Sequence, residues 1–208
     1  MSDPQQTEKK PKVFTDRLRG WTGGIIKPIG SGLYRMGVHP DMVTAFGLLI
    51  VAVAAVFIGK GQLQLGGVLL LIGLPLDALD GAVARAMQRK GRFGIMLDST
   101  LDRYADGFIF AALSYYFAVL GRFDMLLLAQ AALLGSILVS YARARAEGIG
   151  VNTKIGLFTR VERVTVIIIM LLAPRLLDWG VLILAVGTNF TAMQRLWFVY
   201  NSLKNEGN

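Results

Sequence analysis

The chain has 208 residues, 54% of them apolar and 17% charged, with a mean hydropathy of +0.53, which argues against a soluble domain and for an integral membrane protein. Cysteine is absent, so disulfides and thiolate chemistry are excluded. The formal charge of +8 suits anionic lipid headgroups, at about 1 kcal/mol per basic residue near the surface, and argues against nucleic acid, because the basic residues are interspersed among apolar spans.

Residues 1–12 carry Lys9, Lys10 and Lys12 without an apolar core, so they read as a disordered polar tail that stays in the cytoplasm, not a secretory signal. Over residues 13–37, Leu18, Trp21 and Ile25 recur at helical spacing opposite Asp16, Arg17 and Arg19. This predicts an amphipathic helix that lies on the cytoplasmic membrane surface or packs on the spans through the same stripe. Pro28, Gly30 and Gly32 interrupt it. Residues 38–203 form the main domain, which His39-Pro40-Asp41 opens: Pro40 can begin a helix and Asp41 sits in its first turn. His39 reads as a loop or interface residue, since no second histidine exists to join it on a metal.

Apolar runs then predict six spans, at 42–59, 64–86, 95–119, 124–145, 156–174 and 176–198, in an all-α membrane fold. Basic residues gather before Met42, at Arg85, Arg89, Lys90 and Arg92, and at Arg143, Arg145, Lys154, Arg160 and Arg163. By the positive-inside rule both termini and these two connections face the cytoplasm of a cell membrane. Trp21, Trp179 and Trp197 fall near span ends and read as interfacial anchors. No repeat of 20 to 50 residues is present, so solenoids are excluded.

The second and third spans hold an anomaly, Asp77, Asp80, Asp98 and Asp102 inside strongly apolar sequence. Ionised carboxylates in a bilayer cost several kcal/mol and need compensation. Asp77 and Asp80 are three apart and Asp98 and Asp102 four apart, so each pair projects from one helix face and both can converge on one point. Four carboxylates without a His or Cys cluster suit a hard divalent cation, Mg²⁺ or Mn²⁺. Gly81 and Gly94 lie on these faces, where glycine permits close approach of a ligand or of another helix. Arg85, one to two turns from the first pair, can hold a phosphate through its guanidinium fork. Two metal ions and such a fork equip a membrane protein for phosphoryl transfer. Buried Asp–Arg pairing fails as the whole account, because one arginine cannot neutralise four carboxylates. A divalent-cation transporter is the alternative of another class, and the phosphate-type arginines speak against it.

The string D-x2-D-G-x2-A-R-x8-G-x3-D-x3-D at Asp77, Asp80, Gly81, Ala84, Arg85, Gly94, Asp98 and Asp102 resembles the signature of the CDP-alcohol phosphotransferase family, position for position. The resemblance implies a six-span membrane enzyme, usually a homodimer, in which an alcohol attacks the β-phosphate of a CDP-linked lipid donor and CMP leaves. It further implies that Asp77, Asp80, Asp98 and Asp102 hold two divalent ions and that Asp102 is also the proton acceptor. By the same resemblance Gly81 and Arg85, with Ala84 and Gly94 of the motif, contact the cytidine diphosphate. Asp41 and Thr44 would join them, since Pro40-Asp41-Met42-Val43-Thr44 resembles the family's P-D-x-V-T entry to its first span.

A second set of residues bears on the acceptor. Ser140 and Arg143 share a helix face, and with Arg160 and Arg195 they can form a cationic pocket for a phosphate monoester. Arg145 and Arg163 read equally well as residues that merely obey the positive-inside rule. Ser140 to Glu147, Thr159 to Arg163 and Gln194-Arg195-Leu196 resemble stretches of the phosphatidylinositol-phosphate synthases and their archaeal ether-lipid relatives in that family. Arg143 stands where the bacterial pattern has Lys, and Thr159 where it has Glu. The resemblance implies transfer of phosphatidyl from CDP-diacylglycerol, or of its ether analogue, to inositol 1-phosphate. Glycerol 3-phosphate is the alternative acceptor.

Overall fold

A computed structural model describes residues 39–73, 92–153 and 155–206. The predicted tail 1–12, the amphipathic segment 13–37 with Trp21, and the second span beyond Gly73 lie outside the described residues, as do Asp77, Asp80, Gly81, Ala84 and Arg85. The described residues form α1 (Pro40–Gly59), α2 (Leu63–Gly73), α3 (Arg92–Val119), α4 (Phe123–Gly148), α5 (Arg160–Leu172), a 3-10 turn (Pro174–Leu176) and α6 (Leu177–Glu206). No strand occurs among them.

Local chemistry sets the boundaries. α1 starts where its sequence predicts: His39 is the extended N-cap, its Nδ1 accepts from the Asp41 backbone N–H at 3.3 Å, and Pro40 occupies the first turn. It ends at Gly61, whose φ of +79° allows the Gln62 N–H to reach the Phe57 carbonyl and its own N–H to reach that of Ile58. The same left-handed closure at Gly121 (φ +70°) ends α3 and turns the chain directly into α4. Beside it Arg122 binds both oxygens of Asp178 at 2.9 Å, pinning this hairpin to the start of α6. That hydrogen bond, with the carboxylate's charge, raises the Arg122 guanidinium above the ordinary arginine range.

Three helical segments are long and apolar enough to cross a membrane, Asp41–Gly59, Phe123–Gly148 and Pro174–Asn205. The others fall short for specific reasons. The first half of α3 carries Asp98, Asp102, Arg103 and Asp106, α2 is described only to Gly73, and the predicted span 156–174 is helical only from Arg160.

Small residues set the packing, as expected where lipid removes the hydrophobic drive between helices. A Cβ on Gly66 would stand 2.5 Å from Ile58 of α1, and one on Gly67 would stand 3.0 Å from Leu171 of α5. Gly135 of α4 takes Thr188 of α6 against its backbone, and the adjacent Asn189 donates to the Ala131 carbonyl at 2.9 Å. The interior is filled by Ile58, Phe110, Leu113, Phe117, Ile167, Met170, Leu171 and Leu184. Trp179 and Trp197 point outward from α6, as anchors in a lipid interface would.

Candidate active site

α3 carries the second half of the carboxylate signature. Asp98, Asp102 and Asp106 recur every four residues and form one stripe, the first two half-buried and Asp106 buried. The hydroxyls of Ser99 and Thr100 turn back to the carbonyls of Ile95 and Met96 at 2.6 and 2.8 Å, so they are satisfied within the helix. At the start of α3, Gly94 faces α1: a Cβ there would stand 3.5 Å from Asp41 Oδ1. That is an ordinary contact distance, so the Pro40-Asp41 entry and the start of the signature helix lie side by side and the site would also accommodate an alanine. Thr44, one turn beyond Asp41, is half-buried.

α5 brings its first turn against that stripe. Thr159 is the extended N-cap residue and its hydroxyl bonds Glu162, the carboxylate of a Thr-x-x-Glu start. This leaves the two arginines of the turn to face α3. Arg160 Nη2 lies 2.6 Å from Asp102 Oδ1 and Arg163 Nη2 lies 3.1 Å from Asp106 Oδ2. Arg103 approaches Asp102 at 3.7 Å and also donates to the Ser99 carbonyl. Asp102 is therefore flanked by two guanidinium groups.

The remaining acceptor candidates sit on α4 and α6. Ser140 is half-buried, and Arg143 is exposed and pairs with Glu147 at 2.9 Å. Arg195 is buried and reaches two carbonyls, Ile155 from Nε at 2.9 Å and Val139 from Nη1 at 2.5 Å, which ties the α4–α5 connection to both helices. Gly156 makes this approach possible: a Cβ there would stand 2.7 Å from Thr191 and 3.4 Å from the Arg195 guanidinium. Arg195 lies within electrostatic reach of Arg143 and Arg163, and Arg163 within reach of Arg160 and Arg103. Five guanidinium groups drawn from four helices therefore share one end of the bundle with Asp102, Asp106 and Glu147. Guanidinium forks gathered in this way are groups that can bind phosphate oxygens.

Among the described residues no three His, Asp or Glu side chains come together to hold a metal ion. The described half of the predicted ligand set, Asp98 and Asp102, nonetheless fits one in chemistry. Both are half-buried carboxylates on one helix face, with oxygen donors of the kind that Mg²⁺ and Mn²⁺ prefer.

Two residues at this end of the bundle are not marked by the signature. Asp106 lies outside it, and its spacing four residues beyond Asp102 is the signal that places it on the same stripe. Arg163, equally readable as a loop cation, is buried on that aspartate.

Residues 37–193 match the CDP-alcohol phosphatidyltransferase family, and the chain belongs to that family. It is 37% identical over 184 residues to the archaetidylinositol phosphate synthase of Methanothermobacter thermautotrophicus, covering 86% of this chain and 90% of that one. The fold is similar to that of the phosphatidylinositol phosphate synthase of Mycobacterium tuberculosis crystallised with CDP-DAG, with a TM-score of 0.81 and 32% identity over 85% of this chain and 94% of that one. The same enzyme with manganese and citrate matches with a TM-score of 0.80 and 32% identity, over 84% of this chain and 88% of that one.

Proposed function

We propose that this protein is a phosphatidylinositol-phosphate synthase of the membrane: it transfers the phosphatidyl group of CDP-diacylglycerol, or an ether-lipid analogue, to inositol 1-phosphate and releases CMP. The observation that carries the reading is the Asp102–Arg160 contact at 2.6 Å, where the signature's last carboxylate meets an arginine of the acceptor segment. A proton acceptor and a phosphate-binding fork side by side are what attack by a phosphorylated alcohol requires.

In this mechanism Asp77, Asp80, Asp98 and Asp102 would hold two divalent ions, which would supply polarisation of the diphosphate and neutralisation of charge on its oxygens. Asp41, Thr44, Gly81, Ala84, Arg85 and Gly94 bind and orient the cytidine diphosphate. Ser140, Arg143, Arg160 and Arg195 bind the acceptor's phosphate, which sets its hydroxyl in line with the β-phosphorus. Asp102 Oδ takes the hydroxyl proton as the new P–O bond forms and the bond to CMP breaks. Most of the acceleration comes from this positioning and from the fixed cationic groups.

The enzyme is a homodimer with six spans per chain, residues 1–12 forming a tail, 13–37 an interfacial helix and 38–203 the catalytic domain. Its active site and both termini face the cytoplasm, in line with the basic residues at Arg143, Arg145, Arg160 and Arg163.

The test is CMP release from CDP-diacylglycerol by purified protein, with inositol 1-phosphate, free inositol and glycerol 3-phosphate compared as acceptors in the presence of Mn²⁺ or Mg²⁺. Turnover is expected with inositol 1-phosphate. Preference for glycerol 3-phosphate would reassign the acceptor, and metal uptake without CMP release would sink the enzymatic reading in favour of transport.

A further inference from the structure

Asp106 is the only buried acid among the described residues, and it lies outside the signature. Its partner Arg163 is 3% exposed and keeps a buried Nε–H without a hydrogen-bond partner. Stability does not explain such a pair, because two charges lose more on desolvation than their attraction returns unless every polar atom is satisfied. Apolar replacements of equal volume are often neutral or stabilising, and the bilayer raises the cost of the charges further.

Register does explain it. Asp102 and Asp106 are four apart on α3 while Arg160 and Arg163 are three apart on α5, so the two contacts are successive rungs between one face of each helix. α5 packs its backbone on α6 and the 3-10 turn, and reaches α3 from its first turn through these side chains. One rotation of α5 satisfies both rungs. The inner rung is sealed, whereas on the outer rung the Arg160 side chain is 39% exposed.

We propose that Asp106 is a positioning residue: by holding Arg163 it fixes the rotation of the first turn of α5 and so aims the Arg160 guanidinium at the phosphate of the phosphorylated polyol. This rests on the acceptor reading of Arg160 given above. Asp106 itself touches neither substrate nor metal in this scheme, and its effect falls more on acceptor binding than on donor binding.

The experiment measures initial rates of CMP release by the full chain in proteoliposomes with Mn²⁺, varying CDP-diacylglycerol and inositol 1-phosphate separately. Asp106→Asn removes the charge and keeps the volume. It is expected to raise the acceptor KM about tenfold, the usual cost of losing an outer support, and to leave the donor KM within about twofold. Asp106→Glu should recover part of that loss. The double variant Asp106→Leu, Arg163→Met supplies a folded protein without the pair, with an undiminished thermal midpoint and a raised acceptor KM. An unchanged acceptor KM in Asp106→Asn, equal changes in both KM values, or a wild-type acceptor KM in the apolar double variant would each overturn the proposal. Wild-type protein that is inactive with every phosphorylated polyol overturns the acceptor reading and this inference together; active wild type with an unmoved Asp106→Asn overturns the inference alone.

Discussion

Arg160 and Asp102 meet at 2.6 Å, a contact that joins the first turn of α5 to the signature stripe of α3 across 58 positions of chain. A guanidinium fork binds phosphate oxygens as readily as a carboxylate. In the proposed mechanism the same arginine can therefore address an incoming phosphate monoester and Asp102, the proposed proton acceptor. Under that proposal the donor and acceptor sites share a boundary one side chain wide.

Asp102→Asn is expected to lower kcat by about 10³-fold or more, because under the proposed mechanism it removes the general base and a metal donor while keeping the side chain's shape. Single-turnover CMP release, read beside binding of the CDP-linked donor, checks this. A mutant that keeps more than about a tenth of wild-type kcat rules Asp102 out as the base.

Replacing Arg160 separates charge from geometry. Arg160→Ala should raise the acceptor KM by about 10 to 100-fold, and Arg160→Lys should recover only part, since an ammonium keeps the charge but cannot form the planar fork. Steady-state kinetics with inositol 1-phosphate decide the point, and full recovery by lysine would show that the fork is not used.

Arg195→Ala removes the donors that hold the Ile155 and Val139 carbonyls. It should destabilise the fold by about 2 kcal/mol, the scale of a buried charge-assisted hydrogen bond, and also raise the acceptor KM. Thermal unfolding in detergent gives the first effect and acceptor titration the second. Unchanged activity with inositol 1-phosphate would remove Arg195 from the acceptor pocket.

Gly135→Val drives two methyl groups into Thr188 and Asn189 and breaks the contact between α4 and α6. Overpacking of this kind should cost about 1 to 3 kcal/mol, measured as a lower thermal midpoint, with the relative acceptor preference retained in the fraction that folds.

Chelation with EDTA should abolish CMP release, and Mn²⁺ or Mg²⁺ should restore it. Mn²⁺ is expected to act at lower concentration, in keeping with its place above Mg²⁺ in affinity for oxygen donors that include carboxylates. Activity that survives exhaustive chelation would overturn the metal-dependent reading.

The chain by itself determined the apolar helices, the entry of α1 at His39-Pro40-Asp41, and the spacing that sets Asp98 and Asp102 on one face of α3. These are local properties, decided by periodicity, capping and cost in lipid within a few turns of helix. It did not determine which arginine meets which carboxylate. Arg163 and Arg145 looked alike as loop cations, yet one is sealed against Asp106 while the other is exposed at the end of α4. Nor did it reveal that Arg195 spends two of its donors on the backbone of distant residues. Those outcomes depend on the rotation and approach of packed helices, set by Gly67, Gly135 and Gly156 against neighbours far away in the chain. Helical spacing lines up the groups on one helix, and only packing decides what they face.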